Sequence, residues 1–298
     1  MKGHIAASRR TFLHASLIAF AICAVSTAIA QKHMATTSID GHSIDAIGLA
    51  LKKGETKTVI KNSLGSNIYI NTVTVSENDQ RAPLTLVWVV FPHNLVTLRA
   101  CHVNKIGPAN LLYQNYSPKG ALALVNGGFY GFNSDNRQIP LGLLISDGKR
   151  LSPAKPWTSG GILLVREQSE IDIVPISQKD RIGNPNQALQ SKPLLIENGT
   201  LAVKLGQRDA PFNRSAIGLT EKGDIVIAGA FRDDTQAVTL YDFAKFLMLL
   251  RTLKTVNIKV ALNLDGATDS HFYVVPSAIH FGYEGSNYVP NVLAILPR

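Results

Sequence analysis

Apolar positions along this chain recur mostly with the two-residue period of a strand, and in several places they run unbroken. Residues 58–61, 67–75 (NIYINTVTV), 84–91 (LTLVWVVF) and 95–102 are enriched in β-branched side chains, several with alternation, and predict strands. Further strands are predicted at 121–125 (ALALV), 141–145, 161–166, 171–176, 192–197, 215–219, 224–230 and 258–264. Asp147-Gly148-Lys149, Asn198-Gly199 and Glu221-Lys222-Gly223 read as the turns between them. Residues 178–191 read as a polar connection with a helical turn at 186–190, and 107–118 as a loop holding one short helical turn.

One segment breaks the period. From Thr239 the apolar positions Leu240, Phe243, Phe246, Leu247, Leu250 and Leu253 follow helical spacing, with Asp242 placed as a capping acid. Tyr241, Asp242, Lys245, Arg251 and Thr252 fall on the face expected toward solvent. The expected architecture is therefore α+β: a mixed, mostly antiparallel sheet core with one long covering helix and a few short helices. It would occupy residues 57–298 as one domain, after a loosely structured segment at 31–56.

The first thirty residues read as an address rather than as structure. Ser8-Arg9-Arg10-Thr11-Phe12-Leu13 is a twin-arginine pattern, followed by an apolar run at 15–25 and an Ala28-Ile29-Ala30 cleavage signal. The run is short of the roughly 20 residues that span a membrane, so cleavage is expected to leave no stable membrane anchor. The expectation is a bacterial protein exported in the folded state to the periplasm or beyond. Cleavage would leave Cys101 alone, so no intramolecular disulfide could staple the fold. The net charge of +9 would drop by Lys2, Arg9 and Arg10 to +6, a modest excess that favours anionic partners. Basic residues are not clustered with aromatics, and nucleic acid is not an expected partner.

The candidate chemistry sits at strand ends. Asn263 and Asp265 are two apart near the end of the 258–264 run and project to one face, while Leu262 and Leu264 project to the other. Polar groups occupy positions where a core strand would prefer Val or Ile. The 121–125 strand repeats the design, running into Asn126-Gly127-Gly128-Phe129-Tyr130. Either dipeptide, Asn126-Gly127 or Asp265-Gly266, could be a plain turn. No HExxH, CxxC, GxSxG or dinucleotide-binding glycine pattern occurs, and Gly142 to Arg150 fails the phosphate-loop spacing.

These stretches, together with Pro140-Leu141-Gly142-Leu143, Pro193-Leu194-Leu195, Arg214-Ser215-Ala216-Ile217-Gly218 and Asn263-Leu264-Asp265-Gly266, resemble the phosphodiester glycosidase domain family in order and spacing. The resemblance runs from about residue 121 to the C-terminus. One departure stands out: the family's Asp-Gly-Gly-x-Ser-Thr is here Asp265-Gly266-Ala267-Thr268-Asp269-Ser270. The resemblance implies a hydrolase of glycosyl-phosphodiester bonds, with a glycan or sugar-phosphate as substrate. The alternative is a periplasmic glycan-binding or exopolysaccharide-assembly factor on the same fold, motivated by Ala267 and Asp269.

Under the enzymatic reading Asp265 acts at the anomeric carbon, where a carboxylate stabilises an oxocarbenium-like state or activates water. Arg214 is expected on the phosphate through its two-pronged geometry. Asn126 completes the catalytic candidates. Gly127, Gly128, Phe129, Tyr130, Asn263, Gly266, Asp269, Ser270 and His271 are the substrate-binding candidates. Asp269 stays open between a second acid near Asp265, a metal ligand and a solvated side chain, and His271 between an assisting acid and a structural residue. The sequence requires no cofactor and leaves a divalent metal and the oligomeric state open.

Overall fold

The structure, a computed structural model, describes residues 38–39, 42–43, 56–60, 67–75, 82–103, 120–167, 170–204, 209–284 and 289–298. The leader at 1–30, most of the segment at 31–56 and the 107–118 turn lie outside them. Within 31–56, Ser38–Ile39 pairs with His42–Ser43.

The unbroken apolar runs form the centre of an eight-stranded sheet. Its order is Thr200–Leu201, Leu194–Glu197, Ile258–Asn263, Arg214–Thr220, Ile225–Phe231, Leu84–Phe91, Ile68–Val75 and Thr56–Ile60. Alternate residues of one strand enter different cores. Val87, Val89, Ile217, Ile227 and Leu262 pack with Ala123, Val125, Leu293 and Ile295 of a second sheet. Leu86, Trp88, Ala228 and Ala261 pack under the helix Leu240–Thr252. Burial on both faces explains why these strands lack polar alternation.

The second sheet has five strands, in the order Ile279–Gly282, His271–Val274, Ala123–Asn126, Asn291–Pro297 and Val96–His102. Another five-stranded sheet runs Lys149–Ser152, Leu144–Ser146, Gln187–Ser191, Gly161–Val165 and Ile171–Pro175, and Leu144, Leu163 and Leu189 join the same central core. Tyr130–Phe132 and Gln138–Pro140 make a small hairpin.

The α+β expectation gives way to a mostly-β fold. Among the described residues the only α-helix has 13 residues, and the remaining helical pieces are 3₁₀ turns of three to six residues. The helical turn expected at 186–190 is instead the strand Gln187–Ser191, buried along its whole length. Its glutamines are satisfied by distant backbone: Gln190 Oε1 accepts from the amides of Leu143 and Lys155, both at 2.9 Å.

The helix begins as its sequence dictates, with the Thr239 hydroxyl accepting from the Asp242 amide at 3.1 Å. Packing holds it more than the cap does. Phe243, Phe246, Leu247 and Leu250 are at most 1% exposed, and burying four such side chains stabilises by roughly 6–12 kcal/mol, against about 1 kcal/mol for the cap. Lys245 departs from its expected solvent face. Its side chain is only 8% exposed, with its ammonium 3.7 Å from Asp242 and 5.2 Å from the Tyr241 ring centre.

Candidate active site

The Asp265 segment is a bridge between sheets. Asn263 ends a strand of the eight-stranded sheet, paired with Ala216, and His271 begins one in the five-stranded sheet. Between them the backbone is held at successive residues: Leu264 N donates to Ser215 O, Asp265 N to Gly127 O and Ala267 N to Asn213 O, each at 3.0 Å. A 3₁₀ turn over Ala267–Asp269 then folds the chain back, with Asp269 N donating to Gly266 O at 3.2 Å. Ala267 sits at φ 59°, the left-handed region that glycine adopts freely.

Asn126 is fully buried, and its side chain bonds mainly to this bridge, with one further bond from Nδ2 to Gly127 O at 3.3 Å. Its Nδ2 donates to the Asp265 carbonyl at 2.9 Å, while its Oδ1 accepts from Ser215 Oγ at 2.6 Å and from His271 N at 3.0 Å. That is the environment of a residue that positions others. Gly127 and Gly128 serve close packing rather than turning. A Cβ on Gly127 would lie 1.7 Å from Asn291 Oδ1, and one on Gly128 2.6 Å from Gln190 O.

Arg214 opens its strand next to the bridge and is 6% exposed. Nε donates to Val238 O at 3.2 Å, and Nη2 donates to Asp209 Oδ1 and Ala210 O, each at 2.8 Å. The remaining nitrogen, Nη1, lies beside Gly266, 3.2 Å from where a Cβ there would stand. The guanidinium is thus gripped from one side and presents Nη1 to the Asp265 turn. Asp209 has a second duty, accepting from the Leu240 amide at the helix start. No local signal in the sequence marks Asp209, because its partners come from elsewhere in the fold.

A cavity of about 550 Å³ is lined by Arg214 together with Phe129, Lys192 and Asn263. Phe129 meets Trp157 edge-on at 6.0 Å, and Lys192 lies 5.2 Å over the Trp157 ring. Asp265 is not among the lining residues, whereas Arg214 and Asn263, both next to its segment, are. Asn263 donates to Lys192 O and Leu264 O, whereas its buried Oδ1 has no partner among the described residues.

Electrostatics single out two carboxyls. Burial pushes Asp265 up to about 6, against the pull of the Gly266 amide and Arg214. Burial and the neighbouring charge of Asp265 push Asp269 further, to about 7, although the Tyr130 hydroxyl bonds to its carboxylate. His271 is fully buried, with Nδ1 3.0 Å from His280 Nε2 in a stacked pair. Burial, then His280, push it down to about 3, which favours the neutral imidazole near neutral pH. The Ser270 hydroxyl is buried as well. Among the described residues no group of three or more His, Cys, Asp or Glu could hold a metal ion.

The sequence profile of the phosphodiester glycosidase family matches residues 119–296, and the chain belongs to that family. Its fold is shared with the zebrafish N-acetylglucosamine-1-phosphodiester alpha-N-acetylglucosaminidase catalytic domain, auto-inhibited by its pro-peptide: TM-score 0.58, 17% identity, 82% of this chain and 88% of that one. A hypothetical protein from Synechocystis matches with TM-score 0.54 and 15% identity, over 83% of this chain and 64% of that one. A putative exported protein from Burkholderia pseudomallei matches with TM-score 0.52 and 12% identity, over 72% and 74%. No curated protein sequence matches significantly.

Proposed function

We propose that the chain hydrolyses the bond between an anomeric carbon and a phosphodiester, in an envelope or extracellular glycan reached by export. The observation that carries this reading is the shared turn: the Arg214 guanidinium, gripped by Asp209, faces the backbone that presents Asp265. Arg214 Nη1 donates to the phosphate and offsets its charge, while Asp265 acts at the anomeric carbon. The departing phosphate monoester is a weak base, so a single carboxylate suffices for such a substrate.

Ala267 had motivated the glycan-binding alternative. Its left-handed φ is one that glycine adopts freely, so the alanine is accommodated in the turn without a change of backbone path being required by a side chain there. The test is to incubate the purified protein with a broad panel of sugar-1-phosphodiesters and to follow free sugar and phosphate monoester. Turnover abolished by Asp265→Asn is expected. Glycan binding that survives Asp265→Asn, with no hydrolysis by either protein, would establish the binding factor instead.

A further inference from the structure

We propose that the cavity lined by Arg214 is the subsite for the alcohol side of the phosphodiester, and that Lys192 selects there a hydroxylated alcohol carrying a second anionic group. The inference rests on the reading in which Arg214 holds the scissile phosphate and Asp265 acts at the anomeric carbon. A cavity lined by Arg214 and not by Asp265 then lies on the phosphate side of the bond that breaks, where the leaving group sits. Its volume of about 550 Å³ falls within the range of about 300–1,000 Å³ that takes small ligands, room for a sugar residue and its substituents.

Two groups on the wall are left to meet a ligand. Arg214 is taken by Asp209, 2.8 Å away, and by the scissile phosphate. Lys192 is half-buried, and among the described residues its ammonium meets only the Trp157 ring, with no carboxylate paired to it. Glu197, also on the wall, does not pair with it. Trp157 is a fixed platform, met edge-on by Phe129 and packed so closely on Gly142 that a Cβ there would lie 3.3 Å from its Cη2. The Lys192 backbone is fixed as well: Asn263 Nδ2 donates to its carbonyl at 3.0 Å, and a Cβ on Gly160 would lie 2.7 Å from Lys192 Cβ. The second group is Asn263, 2% exposed. Its Nδ2 is committed to Lys192 O and Leu264 O, so Oδ1, buried and without a partner among the described residues, is the acceptor it offers the cavity. An ammonium and an amide oxygen ask for an anion and a hydroxyl. A hydroxylated acid, such as an acidic sugar residue or a polyol phosphate, supplies both, whereas a neutral polyol leaves Lys192 unmatched.

The experiment uses phosphodiesters of one sugar, in one anomer, that differ only in the alcohol: glycerol, glycerate or glycerol phosphate. The parent should turn over the two anionic diesters with kcat/KM about ten- to a hundredfold above the glycerol diester, the worth of one charged hydrogen bond, and the larger gain of the two names the anion. Added salt should shrink the preference. Lys192→Met should lose it, falling far more on the anionic diesters than on the neutral one, and Lys192→Arg should keep most of it. Equal turnover of all three diesters by the parent, or equal loss by Lys192→Met on all three, would overturn the subsite and leave the phosphodiester reading intact. A binding arm covers the case of no turnover: phosphoglycerate and glycerol phosphate, the monoesters that hydrolysis would release, are titrated into the protein by calorimetry. Tighter binding of phosphoglycerate without turnover of any diester would uphold the anion site and overturn the hydrolase, and neither preference nor turnover would remove both.

Discussion

The side-chain amide of Asn126 donates to the backbone carbonyl of Asp265 at 2.9 Å, joining residues 139 positions apart. This bond, with those to Ser215 and His271, fixes the bridge on which the carboxylate rides. Asn126→Ala leaves the buried His271 amide unmatched and the Asp265 carbonyl and Ser215 hydroxyl with only their 3.5 Å contact to each other, at about 1–3 kcal/mol for each unsatisfied group before relaxation. Urea unfolding should show a loss of a few kcal/mol. Turnover should fall with KM changed much less, since Asn126 has no atom open to substrate. A variant of full stability and full kcat would remove Asn126 from this role.

Arg214 and Asp265 should fail differently across substrates. Arg214→Ala should lose about ten- to a hundredfold or more on phosphodiesters, from the roughly 1.5–3 kcal/mol of a charged hydrogen bond. An activated aryl glycoside has no phosphate, so its turnover should change little, whereas Asp265→Asn should be inactive on both. Stability must be followed alongside, because Arg214→Ala strands Asp209, and breaking a buried pair costs about 3–5 kcal/mol. Equal loss on both substrate types would make Arg214 a structural partner of the turn.

Ala267 carries a backbone conformation that costs an L-residue about 1–2 kcal/mol, against about 0.4–1 kcal/mol for the greater unfolded-state freedom of glycine. Ala267→Gly should therefore raise stability by up to about 1 kcal/mol, roughly 2–4 °C in Tm for a domain of this size. Activity should be kept. A lower Tm by differential scanning calorimetry would show that the alanine methyl makes packing worth more than the strain.

The raised carboxyl of Asp265 couples activity and stability with opposite signs. Phosphodiester turnover should rise as pH increases through about 6, where Asp265 ionises. Its folded-state value lies above its unfolded one, so its contribution to stability is complete below pH 4 and disappears as pH rises through about 6. Asp265→Asn should accordingly be more stable than the parent at pH 8, by about 1–3 kcal/mol, and no more stable at pH 4. Unfolding curves at the two pH values check this. A parent protein more stable at pH 8 than the Asn variant would mean that Arg214 outweighs burial.

The central strands were legible because burial on both faces leaves an unbroken apolar signature, as in Leu84–Phe91. The helix start was legible because the Thr239 cap is local. Gln187–Ser191 was not, since its polar side chains read as solvent-facing until Leu143, Lys155 and Ala100 supply backbone partners from other elements. Lys245 misled for the same kind of reason. The α+β reading overweighted one strong helix against many short strands. At the site, Asn126, Arg214 and Asp265 could be named from their strand-end positions, and the structure gathers them around one turn. Their division of labour could not be read, because it depends on Asp209, Ser215 and Tyr130, each a partner set by topology. Asp269 drew notice only as a departure from the family motif, and its tie to Tyr130 spans 139 residues.

Because the segment from Leu264 to Ser270 spans from one sheet to another, the spacing of its two carboxyls reports how those sheets sit on one another. A slide of a few tenths of an ångström, too small to disturb either hydrogen-bonded ladder, would still reach the turn. Core positions between the sheets, such as Val125, Ile217 and Phe272, therefore bear on how the turn is set. Volume changes there should alter the pH profile of turnover before they unfold the protein.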